Sequence, residues 1–173
     1  MVYDFTLGKQ YICRKLLKPM IMRFILIALT IFHFSLQAIK AQTTEDSVKA
    51  TVNKLFTGMK NSDPEMIKGS FADSAVLQTI SRNKEGMTVV RNEKVEDFAK
   101  SVGSMPKGAA DERISFETIK IDGPMAIAWT PYNFYYDGKF SHCGVNSFQL
   151  VRFNGEWKIQ YLIDTRRRQG CTP

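Results

Sequence analysis

At 173 residues, 44% of them hydrophobic, the chain is one domain's worth with enough apolar content for a proper core. Its net charge of +7 is uneven, because six of the 24 Lys and Arg but only one of the 17 acids fall in residues 1–41. The remainder carries 18 bases and 16 acids, a net +2, which removes the electrostatic case for nucleic-acid binding.

Residues 1–41 read as a secretory signal peptide. Phe24 to Phe32 is an apolar run that follows Arg14, Lys15, Lys18 and Arg23 and leads to the small residue Ala41. The run is shorter than the roughly 20 residues that a spanning helix needs, so no stable membrane anchor is expected after cleavage. Cys13 precedes the run instead of closing it, so there is no lipid-anchoring motif. Residues 1–19 precede Met20 and Met22, either of which would open a more ordinary signal sequence, so the start at Met1 is expected to be too early. The mature protein is therefore expected to span 42–173 and to be periplasmic or secreted. Its two cysteines, Cys143 and Cys171, are expected to pair in an oxidising compartment, with a free buried Cys143 as the alternative.

Thr43-Thr44-Glu45-Asp46 offers a helix N-cap followed by acids. Val48, Val52, Leu55, Phe56 and Met59 then fall at helical spacing, predicting a helix to about Lys60. Asp63-Pro64 restarts a short second helix that buries Met66, Ile67 and Phe71. Strands are predicted over 74–81 and 88–91, a third helix from Asn92 to about Val102, and a loop over 104–111. From about Arg113 the turns Asp122-Gly123, Asp137-Gly138 and Asn154-Gly155 mark a four-stranded antiparallel meander. Helices first and strands last make an α+β domain.

Two-residue turns at Asp137-Gly138 and Asn154-Gly155 set an expected register. Tyr135 then pairs with Phe140, Asn133 with His142, Trp129 with Asn146 and Phe148 with Tyr161. One face would hold Met125, Ile127, Trp129, Phe148, Leu150, Trp157, Ile159, Tyr161 and Ile163 with Asn133, His142 and Asn146. Tyr132, Phe134 and Tyr136 would form an apolar patch on the other. Asp164 has the wrong parity for the first face unless a bulge reorients it.

The order of elements, the strand Gly155-Glu156-Trp157-Lys158-Ile159 and the strand Phe140 to Phe148 resemble the nuclear transport factor 2-like superfamily. That superfamily also holds ketosteroid isomerases and SnoaL-like cyclases. The chain is most similar to small exported bacterial members of unassigned function, some grouped as lumazine-binding-like. The likeness runs from about Thr44 to Arg168. It implies a cone in which a curved antiparallel sheet wraps about three helices and leaves a pocket at the open end. It also implies a homodimer through the outer sheet face. The isomerases' carboxylate base finds no counterpart on the face derived above, which puts that chemistry in doubt.

His142 is the single histidine of residues 42–173, and it reads as a general acid/base or as a core histidine satisfied by an amide. Trp129, Tyr135, Phe140 and Tyr161, with Phe148 nearby, would stack a small hydrophobic or heteroaromatic ligand such as a pterin, or would simply pack the core. Arg166-Arg167-Arg168 would grip an anion at the rim or form a solvated tail. One histidine and no Cys/His cluster leave no metal set, and no cofactor fingerprint is present. The leading expectation is an exported small-ligand pocket protein. The alternative is an isomerase, dehydratase or cyclase using His142 with Asn133 and Asn146, and a third reading is a partner protein that uses only its outer face.

Overall fold

The computed structural model describes residues 43–171. The signal peptide and the start expected at Met20 or Met22 lie outside the described residues. No described helix is long and apolar enough to cross a membrane.

Helix α1 (Thr44–Asn61) begins at a reciprocal cap. The Thr43 hydroxyl accepts from the Asp46 amide (3.1 Å), and the Asp46 carboxylate accepts from the Thr43 N–H (3.2 Å). Such a cap is worth about 1 kcal/mol. The helix buries Val48, Val52, Leu55, Phe56 and Met59, the stripe that the spacing predicts. Asp63 caps α2 (Pro64–Lys68) through the Met66 amide. Gly58 lets the two helices touch, since a Cβ there would sit 3.0 Å from Ile67. Helix α3 is Val95–Gly103, with Ala99 and Val102 buried.

Seven strands form one sheet: β1 (Phe71–Arg82), β2 (Thr88–Glu93), β3 (Ala110–Ile114), β4 (Thr118–Asp122), β5 (Met125–Tyr136), β6 (Lys139–Phe153) and β7 (Glu156–Arg167). Their order is β2-β1-β7-β6-β5-β3, and β4 also pairs with β5. β1 and β7 run parallel, and the other pairs are antiparallel. The sheet is large, curved and unclosed, an α+β arrangement. The α1 stripe joins Phe148, Leu150 and Ile159, each fully buried, in one core. The strand expected to start near Arg113 begins at Ala110 instead, which brings Glu112 into the sheet.

The expected register holds at the turns and fails beyond them. Tyr136 pairs with Lys139 and Tyr135 with Phe140, as the Asp137-Gly138 turn requires. Ser141 is then an extra residue, so Phe134, not Asn133, stands opposite His142, and Ala128, not Ile127, opposite Phe148. In the next hairpin Leu150 pairs with Ile159, but Gln160 is extra, so Leu162 instead of Tyr161 meets Phe148. Each one-residue slip exchanges the two faces. Ala126, Ala128, Thr130 and Tyr132 are therefore buried under the helices, and Met125, Ile127 and Trp129 are exposed on the convex side.

A carboxylate cluster in an apolar pocket

A cavity of about 280 Å³ opens between the concave sheet face and helices α1 and α3. Leu55, Phe56, Phe98, Val102 and Phe134 supply much of its apolar wall. Polar residues from five strands line it, Thr79 on β1, Glu93 on β2, Glu112 on β3, His142 and Asn146 on β6, and Asp164 and Arg166 on β7, and α3 adds Ser101.

The bulge at Gln160 turns Asp164 inward, opposite Asn146. Asp164 is 7% exposed. Its carboxylate accepts from the Thr79 hydroxyl (2.6 Å) and pairs with the Arg166 guanidinium (2.9 Å). The Tyr132 hydroxyl reaches the same carboxylate (3.1 Å) and the Thr165 carbonyl (2.9 Å). Gly144 makes room for this tyrosine, because a Cβ there would lie 2.7 Å from its ring. The Asn146 amide donates to Glu112 Oε1 (2.8 Å). His142 lies between the rings of Phe134 and Tyr132, at 4.9 and 5.8 Å.

Burial pushes the Glu112 carboxyl up to about 7. The charge of Asp164 adds to that shift, and the Asn146 hydrogen bond and the Arg166 charge oppose it. Burial also raises Glu93. Tyr132 is raised by burial and then by the neighbouring carboxylates, which keeps it a hydrogen-bond donor. His142 is lowered, first by burial and then by Arg166, so its imidazole is neutral at pH 7. A carboxyl that is half protonated near neutrality inside an apolar cavity is suited to giving or taking a proton.

Of the residues expected to line the pocket, His142 and Asn146 do so. Phe148 lies in the core beneath, edge-on to Phe56 at 6.2 Å. Trp129, Asn133, Tyr135 and Tyr161 are on the convex face, displaced by the two bulges. There Trp129 is 46% exposed. Tyr135 lies under the Arg113 guanidinium (4.0 Å), and the Tyr161 hydroxyl donates to Gln78 (2.6 Å). Asn133 borders a separate convex cavity with Arg113 and Arg167. Conversely Tyr132, Phe134 and Tyr136, expected outside, lie on the concave side. Cys143 and Cys171 form a disulfide. No group of three potential metal ligands occurs among the described residues.

The site residues that sequence reasoning does not place there are Glu112, Asp164 and Tyr132. Asp164 carried a signal: its parity was wrong by one, which a single bulge corrects. Glu112 carries none, since it falls between the loop expected over 104–111 and the strand expected from about Arg113.

A family model described as "Putative lumazine-binding" matches residues 43–161. No curated protein matches the sequence significantly. Among solved structures, a nuclear transport factor 2-like protein of unknown function from Shewanella baltica OS155 is similar with a TM-score of 0.58 at 13% identity, covering 71% of this chain and 93% of its own. Another such protein of unknown function, from Methylobacillus flagellatus KT, gives 0.57 at 17% identity, covering 75% and 97%. A domain of unknown function with a cystatin-like fold from Nostoc punctiforme PCC 73102 gives 0.58 at 14% identity, covering 74% and 81%. Identities this low speak for the fold alone. The chain belongs to the family described as "Putative lumazine-binding", built on the nuclear transport factor 2-like fold.

Proposed function

We propose that this is an exported protein whose concave pocket takes a small, largely apolar ligand, with which Glu112 exchanges a proton. The observation that carries the reading is the Glu112 carboxyl, which lines the pocket together with Phe134, Met105 and Ala110 and is fixed by Asn146. A pocket that only stores an apolar molecule gains nothing from a buried carboxyl, whose desolvation opposes folding. A group that titrates near neutrality is what proton transfer in an isomerase, dehydratase or cyclase requires. The enzyme reading thus passes from His142, at the edge of the pocket, to Glu112 inside it.

The cavity lies at the small end of the usual range of ligand pockets, about 300–1,000 Å³. That size and the rings of Phe56, Phe98 and Phe134 suit a flat heteroaromatic. Lumazine, the ligand in the family's description, has flat faces and ionisable ring N–H groups. Export is supported by the basic and apolar leader pattern and by the Cys143–Cys171 disulfide.

The test begins with native mass spectrometry of the protein secreted through an oxidising compartment, to identify a retained ligand. The rate of deuterium incorporation from solvent into that ligand's carbon positions is then compared with the Glu112→Gln variant. The proposal expects binding to survive the substitution and exchange to fall at least about a hundredfold, the scale of general acid–base catalysis. Exchange at the unsubstituted rate would refute it.

A further inference from the structure

A second cavity, of about 400 Å³, adjoins the first and is lined by His142, Arg166, Arg167 and Arg168. His142 and Arg166 border both. The arginine run is therefore more than a solvated tail, because all three arginines border one space with His142. Cys171, three residues on, is bonded to Cys143, the neighbour of His142, so the run is tied at both ends: by β7 and by the disulfide.

Charge at this mouth is unbalanced. Arg166 is committed to Asp164 and also donates to the Thr79 hydroxyl (3.2 Å). Its remaining N–H groups, and all those of Arg167 and Arg168, make no hydrogen bond or ion pair among the described residues. No carboxylate borders the mouth cavity. The nearby acids border the first cavity instead: Asp164 is paired with Arg166, Glu93 also feels the Arg166 charge, and burial pushes the Glu112 carboxyl up to about 7. Unpaired guanidinium groups beside a neutral imidazole form a donor set for oxyanions.

We propose that the ligand of this pocket carries an anionic head, a carboxylate or phosphate-type group, held at the mouth by Arg166, Arg168 and His142 while its apolar body enters the cavity. This rests on the pocket reading above and narrows its ligand to amphipathic anions. Arg167 adds to the field that draws the anion in.

The experiment uses three probes with one apolar body: 2-naphthoate, 2-naphthyl phosphate and uncharged 2-naphthamide. Affinities are measured by calorimetry on the secreted, disulfide-bonded protein and on an Arg167→Gln/Arg168→Gln variant, whose side chains are exposed and unpaired. At least one anion should bind about tenfold more tightly than the amide. That advantage should vanish in the variant, with the amide unaffected. Which anion is preferred tells carboxylate from phosphate. The His142 imidazole resonances, assigned with His142→Gln, should move with the anions only. Equal affinity for all three, or an equal loss for all three in the variant, overturns the anionic head and leaves the pocket intact. Failure of all three to bind overturns the pocket reading with it.

Discussion

Asn146 stands opposite Asp164 in the β6–β7 ladder, and between them they organise the polar side of the pocket. Asn146 donates to Glu112, and Asp164 gathers Thr79, Tyr132 and Arg166. The Asp164 charge helps to keep Glu112 protonated, and Arg166 limits that effect. Replacing either member of the pair therefore changes the other's surroundings.

Asp164→Asn removes the charge that Arg166 and Thr79 face. Because Asp164 is buried and Arg166 half exposed, the expected loss is about 2 kcal/mol, below the range for a fully buried pair. Urea denaturation at pH 7 measures it. A variant as stable as the parent would show that the cluster does not act as described. The same substitution should lower the Glu112 titration toward the ordinary carboxylate range, since one of its raising causes is gone.

The stability of the whole protein should carry the signature of Glu112. Its folded value is above its unfolded one, so the folded state holds the proton more tightly. The resulting stabilisation is complete below about pH 4.5 and is lost as pH rises through about 7. Glu112→Gln should remove a component on the order of 3 kcal/mol from that slope. Denaturation midpoints of both proteins between pH 4 and 8 provide the comparison, and parallel curves would contradict the assignment.

Cys171→Ser frees the tail that carries the arginine run. With the bonded cysteines 28 positions apart in sequence, the loss should be about 3.5 kcal/mol. Reductant should then lower the thermal midpoint of the parent and leave the variant unchanged. Two free thiols titrated in the native secreted protein would count against both the disulfide and export.

The convex face of β5 exposes Met125, Ile127 and Trp129, a patch suited to self-association. On this proposal Ile127→Lys converts a dimer into a monomer in sedimentation equilibrium, with no change in fold by circular dichroism. A parent already monomeric at tens of micromolar would refute it.

The fold was legible because turns and helix periods are local. Asp137-Gly138 and Asn154-Gly155 adopt the positive φ values that their hairpins need, and the α1 stripe is the core stripe. Much of the site was hidden by two silent insertions. Tyr161-Leu162-Ile163 is apolar in both parities, so alternation does not reveal the extra Gln160. In Met125-Ala126-Ile127-Ala128-Trp129 both faces are again apolar, and bulk misleads. The alanines face inward and join the core of the α1 stripe, and the larger residues are left outside. Glu112 depends on burial by distant elements, which no local pattern records.

The most direct measurement is carboxyl-carbon NMR of glutamate-labelled protein across pH 4 to 9, with Glu112→Gln for assignment. The account predicts one glutamate that titrates near 7 and disappears in the variant. Glu112 titrating with the surface glutamates near its usual value would contradict the pocket chemistry proposed for it.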